Sequence, residues 1–383
     1  MLWLTPVFAV ALLAQQNSGL TREGQYWVER LTGAVPVEQR LRVSAMGSIT
    51  VEGAARPEVV AYSLKRRAKA SSEASARRLL ERITVRSSTK AGWTVLEAGT
   101  GDSGLASADL ELQVPRGLLE TNLVTSAGAI RGAGLDGVLK AETGGGPVDV
   151  DRVAGPVTVR TGGGVVRIGK VGGRLECYSR GGAITAESLG SEATLHTGGG
   201  EIVVREAKGL VRARTPGGAI HIERALRGIQ VAAGAGLISV DESGGPVVAE
   251  TGTGSIKIRS ASDVRCQSGS GTIQIQAVSG GLRAATGSGS IVADLAGISR
   301  FQDSTLITGM GDITVLIPSK LAVTIEATNV TPGAHRIVSD FAEILPRGQQ
   351  GNARSEASGA LNGGGPVLRL SATGGTIYVR HQR

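Results

Sequence analysis

"VTVRTGGGVVRIGKVGGR" (Val157–Arg174) sets three consecutive glycines between two short runs in which apolar and polar residues alternate. A period of two marks half-buried strands, so the stretch reads as strand, glycine corner, strand. The rival meaning of such glycines is a loop that cradles phosphate. That loop needs a helix starting directly after it, so that free N–H groups and the helix dipole face the anion. Here a strand follows, and "RIGKVGG" lacks the Ser or Thr that a P-loop places after its lysine. The glycines therefore turn a corner, where positive φ comes to glycine at no steric cost.

The pattern recurs. The corner glycines Gly128, Gly146, Gly164, Gly182, Gly200, Gly218, Gly236 and Gly254 stand eighteen residues apart, and Gly271, Gly289 and Gly311 follow at steps of 17, 18 and 22. Two residues after them come Ile130, Val148, Val166, Ile184, Ile202, Ile220, Ile238, Ile256, Ile273, Ile291 and Ile313, every one β-branched. Three residues before them is a small, mostly hydroxylic column running from Thr125, Thr143, Thr161 and Ser179 to Thr308, with Ala233 as its exception.

A fixed period of this kind is a repeat architecture. An antiparallel meander would need far more strands than the roughly 10 an open sheet tolerates. Coils that stack identical positions at about 4.8 Å need no such sheet. The sequence thus predicts an all-β, single-stranded β-solenoid (β-helix) of about eleven 18-residue coils. An N-terminal cap with one short amphipathic helix and a β-rich C-terminal cap should close it. The Ile/Val column becomes an inward ladder, and Val150, Ile168, Val204, Ile222, Val240, Ile258 and Ile275 form a second. By the same parity the threonines point inward, where a hydroxyl can satisfy a corner glycine. An outward, water-ordering threonine array would require that parity to break. Cys177 and Cys266 also fall inward, five coils apart, about 24 Å along the axis and beyond the ~7 Å reach of a disulfide. Two buried free thiols are expected.

The expected organisation is a signal peptide over 1–14, a capping region over 15–118 with a helix near 72–83, the solenoid over 119–317, and C-terminal strands over 318–383 with an exposed loop at 346–365. The signal reading rests on the apolar run "MLWLTPVFAVALLA", too short to span a bilayer. In the cap, "GSITVEG" (Gly47–Gly53) repeats the corner pattern once. "ASSEASARRLLERI" then spaces Ala76, Leu79, Leu80 and Ile83 as one helix face, laid across the open first coil. "DLELQVPRG" and "DITVLIPSK" each carry a proline at a strand end.

The formal charge of +8 is concentrated between Lys65 and Lys90, where nine basic residues face two acids. Lys65, Arg66, Arg67, Arg77 and Arg78 are the candidate contacts for an anion, with a solvated helix face as the plain alternative. Nucleic acid is disfavoured, because no stacking aromatics accompany the basic run. The turns lack the repeated Asp of calcium-binding β-rolls, and the outer column Glu142, Arg160, Tyr178, His196, Arg214, Ala232, Glu250 shows no catalytic plan. His196 and His221 fall on different strands, so no metal site is expected. No catalytic residue, cofactor or metal is assigned.

Together "GSITVEG", "ARRLLERITV", "ELQVPRG", the serial "TGGG" copies, "GDITVLIP" and "NGGGPVLRLSATGGTIYVR" resemble the bacterial putative-adhesin family of β-strand-repeat domains. The resemblance implies an exported β-solenoid and supplies no catalytic residue. The expected function is a non-catalytic, adhesin-like protein of the bacterial cell envelope, in the periplasm, on the outer surface or secreted. Its partner would be a surface polymer or a protein. One alternative is an anionic-glycan or lipid-head-group module that uses the basic helix, in peripheral contact with an anionic envelope surface. A polysaccharide-active solenoid enzyme is the other.

Overall fold

The computed structural model describes residues 13–55, 59–99, 106–296, 300–330, 337–347 and 355–382. The chain divides into two compact units, Met1–Gly182 and Ala183–Arg383. It is nearly all β, with one short helix among the described residues, and the eighteen-residue unit recurs as a coil about eleven times in the two units together.

Each coil contributes one strand to each of two parallel sheets, and residues one repeat apart are hydrogen-bonded partners. In the first unit Ile130 pairs with Val148 and Val148 with Val166. In the second, Ile184, Ile202, Ile220, Ile238, Ile256, Ile273, Ile291 and Ile313 form one ladder. All are fully buried, and each such side chain contributes roughly 1.5 to 3 kcal/mol on burial. A coil has six inward positions: in the Gly164 coil they are Val166, Ile168, Val171, Leu175, Cys177 and Ser179. Between the second and third of these, two successive residues face out, and the strand bends there.

Length changes fall at one place. Val247 pairs with Val264 and Ile256 with Ile273, so the short step of 17 loses its residue from the turn between Ala261 and Val264. The long step of 22 gains residues at the same turn, between Asp294 and Ser304.

The threonine column is inward and staples coil to coil. Thr161 Oγ1 donates to the Gly146 carbonyl at 3.0 Å and accepts from the Gly164 N–H at 3.0 Å. Thr143 and Thr215 repeat this arrangement. At Thr251 the register has changed: the Gly254 N–H reaches forward to Ser270 O, and the buried Thr251 hydroxyl has no partner. Thr161→Val therefore orphans two backbone groups and should cost about 1–3 kcal/mol, whereas Thr251→Val should leave the urea midpoint unchanged or raise it. Equal losses at the two positions would contradict the stapling role.

Glycine is required at the corner chiefly for space and only in part for positive φ. Positive φ is found at Gly236 (+126°) and Gly271 (+152°), downstream of Ala233, but not at Gly146, Gly164, Gly182 or Gly218. At Gly164 the demand is space: a Cβ there would collide with the Gly146 carbonyl oxygen in the coil before.

The ends depart from sequence order. In the first unit, Ile49–Ala54 pairs with Ile130–Leu135 on one side and with Ala106–Pro115 on the other. The coil built from Trp93–Ala98 and Ala106–Pro115 thus lies outside the "GSITVEG" coil. Beyond it, Val59–Lys69 runs antiparallel to Ala106–Pro115, and Tyr26–Pro36 antiparallel to Val59–Lys69. The helix Glu73–Glu81, capped by Ser72, buries Ala76 and Leu80 and packs on Val59–Lys69 rather than on the "GSITVEG" coil. In the second unit, Val367–Gly374 and Ile377–His381 insert between the Ser304–Ile317 coil and the strands Val323–Asn329 and Ile337–Ser339. Part of the segment expected as a loop is a strand, Ser355–Leu361, antiparallel to Val323–Asn329. These antiparallel additions cover strand edges that a bare coil stack would expose. Residues 1–14 lie outside the described residues but for the last two, which begin the strand Leu13–Asn17.

Candidate functional site

The five candidate cations of the first unit do not form one surface. The strand Val59–Lys69 alternates, burying Val60, Tyr62, Leu64, Arg66 and Ala68. Arg66 is thus a core position. Its Nη1 donates to Leu80 O at 2.8 Å and Ile83 O at 2.7 Å, closing the C-terminal end of the helix, and its Nη2 pairs with the buried Glu29. It is not available to an external anion. Period-two alternation through "VVAYSLKRRAK" places Arg66 on the apolar face of the strand, apart from Lys65 and Arg67. Lys65 and Arg67 leave the strand on its other side and pair with Glu23 (3.3 Å) and with Asp109. Arg77 holds Glu73 at 2.7 Å, and Arg78 alone of the five has no acid partner among the described residues.

Cys177 and Cys266 are both free and buried. Burial pushes the Cys177 thiol up to about 12 and raises that of Cys266 as well, so neither offers a thiolate at neutral pH. His196 lies on the strand Ala193–Thr197 and His221 on Ile220–Ala225, in the other sheet. Among the described residues, no three His, Cys, Asp or Glu side chains group as a metal site requires. No described helix is long and apolar enough to cross a membrane.

Two concavities on the outer faces of the second unit differ sharply in their charge. The larger, about 670 Å³, follows the bend positions of successive coils and is lined by Glu187, Arg205, Glu223, Asp241 and Arg259, among others. Both signs of charge are paired there: Arg205 sits 3.0 Å from Glu187, Arg224 3.0 Å from Glu242, and Arg259 3.7 Å from Asp241. Such exposed cross-strand pairs add little individually and hold coils in register. The column that carries these pairs is the one at the bend.

The second concavity differs in kind. On the other sheet, Arg265 pairs in register with Arg283, and Arg283 with Thr305; Gln267, Ala285 and Ile307 stand beside them in the next outward column. These six side chains line a groove of about 280 Å³ that no acidic residue enters. Both arginines are exposed, and neither has an acid within ion-pair distance among the described residues. Both arginines also line a neighbouring concavity of about 210 Å³ together with Asp263 and Asp303, whose carboxylates accept the N–H groups of Gly281 (2.9 Å) and Val367 (2.8 Å). The groove flanks the turn where the repeat shortens to 17 and lengthens to 22 residues. That break in period was its signal in the sequence.

No family model matches the chain. No curated protein matches it. Among solved structures, it is similar to a "putative adhesin" from Bacteroides fragilis, at 15% identity and TM-score 0.32, over 60% of this chain and 96% of that one. It is also similar to a "putative cell adhesion protein" from Clostridium sporogenes, at 8% and 0.16, over 92% and 99%. A third is a "putative lipid binding protein" from Parabacteroides distasonis, at 12% and 0.27, over 75% and 97%.

Proposed function

We propose that this chain is a non-catalytic, adhesin-like binding scaffold of the bacterial cell envelope, exported by its N-terminal apolar segment, which engages a polymer along the outer faces of its coils. The observation that carries this reading is the register: outward residues recur in line at one strand spacing, about 4.8 Å, through coil after coil. A surface of that kind meets a periodic ligand at many equivalent points, and weak contacts sum. The ion-paired state of Lys65, Arg67 and Arg77 and the burial of Arg66 speak against the basic cap as the main binding surface. The test is co-sedimentation of the purified protein with peptidoglycan, capsular polysaccharide and lipopolysaccharide. Retention by at least one is expected; recovery in the supernatant from all three overturns the reading.

A further inference from the structure

We propose that the groove over Arg265 and Arg283 binds the carboxylates of an acidic, uronate-type polysaccharide. This rests on the polymer-binding reading above and names the ligand class.

Arg265 and Arg283 are an electrostatic anomaly on this surface. Like charges placed directly opposite on neighbouring strands are destabilising, and elsewhere the outer faces avoid or neutralise them. Lys140 reaches diagonally to Glu120 at 2.8 Å, Arg369 faces Glu326 at 3.0 Å, and Arg160 lies over the Tyr178 ring. Arg30 and Lys65 do stand opposite each other, but each has its own acid. Arg265 and Arg283 are in register with none. Two guanidinium forks one strand spacing apart form a site for bidentate anion recognition, and an anion bound between them relieves their repulsion.

The rest of the groove selects the kind of anion. Gln267 and Thr305 offer hydrogen-bonding groups to hydroxyls, while Ala285 and the exposed Ile307 give a flat apolar floor suited to the C–H face of a sugar ring. A peptide strand has no purchase here by β-addition, because the site lies on a sheet face whose backbone groups are already committed to neighbouring strands.

The experiment measures binding of the full chain to alginate and polygalacturonate, with dextran as the neutral polymer. Arg265→Gln/Arg283→Gln is compared with wild type and with the cap variant Arg77→Gln/Arg78→Gln. Wild type should bind the polyuronates with an affinity that falls as salt rises. The groove variant should lose about tenfold per arginine, and the cap variant should bind as wild type does. Because the groove variant removes a like-charge pair, its melting temperature should equal or exceed that of wild type, and polyuronate should raise the melting temperature of wild type and of the cap variant but not that of the groove variant. Equal polyuronate binding by wild type and groove variant overturns the inference. So does wild type that binds dextran or envelope preparations but no polyuronate, in which case the polymer-binding reading stands. Wild type that binds no polymer at all overturns both.

Discussion

Gly164→Ala should shift the urea midpoint of the first unit far downward, while Gly163→Ala, one residue away, should stay within about 0.5 kcal/mol of wild type. A Cβ at Gly164 would meet the carbonyl oxygen and carbon of Gly146 and the nitrogen of Pro147, all main chain of the preceding coil. Backbone held in a parallel ladder cannot step aside without breaking pairs above and below. The cost should reach or exceed the upper end of the ~1–3 kcal/mol typical of overpacking. Gly163 has nothing near its Cβ position and no left-handed φ. Its counterparts in other coils include Ala235, Thr253, Ser270 and Met310, whereas the third position of the corner is glycine in every copy from Gly128 to Gly311. Equal effects at Gly163 and Gly164 would show that the corner needs chain flexibility and not close stacking.

Arg66→Ala should cost about 3–5 kcal/mol, the usual consequence of leaving a buried partner charge uncompensated. Glu29 would lose its guanidinium, keeping Asn17 as a hydrogen-bond donor, and the carbonyls of Leu80 and Ile83 at the end of the helix would lose theirs. Arg66→Met combined with Glu29→Leu should recover the part of the loss due to the stranded charge, but not the part due to the helix end. Arg77→Ala breaks an exposed pair and should change stability by no more than about 1 kcal/mol. Thermal unfolding of the four proteins checks the order. Arg66→Ala with wild-type stability would return this residue to the solvent-facing set.

Much of this architecture is legible in the chain because a solenoid converts sequence period into contact. Val148, Val166 and Ile184 through Ile291 are predicted inward from their spacing alone and are buried. The threonine column follows from parity and does what a hydroxyl near a corner can do. The ends are a different matter. Ile49 meets Ile130 across some eighty residues, and Ile377 meets Ile313 and Ile337 on its two sides. Nothing local in "GSITVEG" or "GGTIYVR" says which coil lies next to it, because pairing order is a non-local property. The corner glycines were assigned to the right place for a reason that holds only downstream of Ala233. The space a Cβ needs depends on the neighbouring coil, which the local pattern does not contain. The groove at Arg265 and Arg283 lies where the period breaks to 17 and 22 residues, and the break alone does not say which side chains meet there.

The register of the coils can be measured by disulfide trapping. In a Cys177→Ala/Cys266→Ala background, His221→Cys with Ser239→Cys joins residues eighteen apart that pair on adjacent parallel strands, about 4.8 Å from one another and within the ~4.4–6.8 Å a disulfide spans. His221→Cys with Gln230→Cys joins residues only nine apart, but on different sheets. Mild oxidation should close an intramolecular bond in the first protein and not in the second. Closure between 221 and 230, with none between 221 and 239, would contradict the stacking on which the account depends.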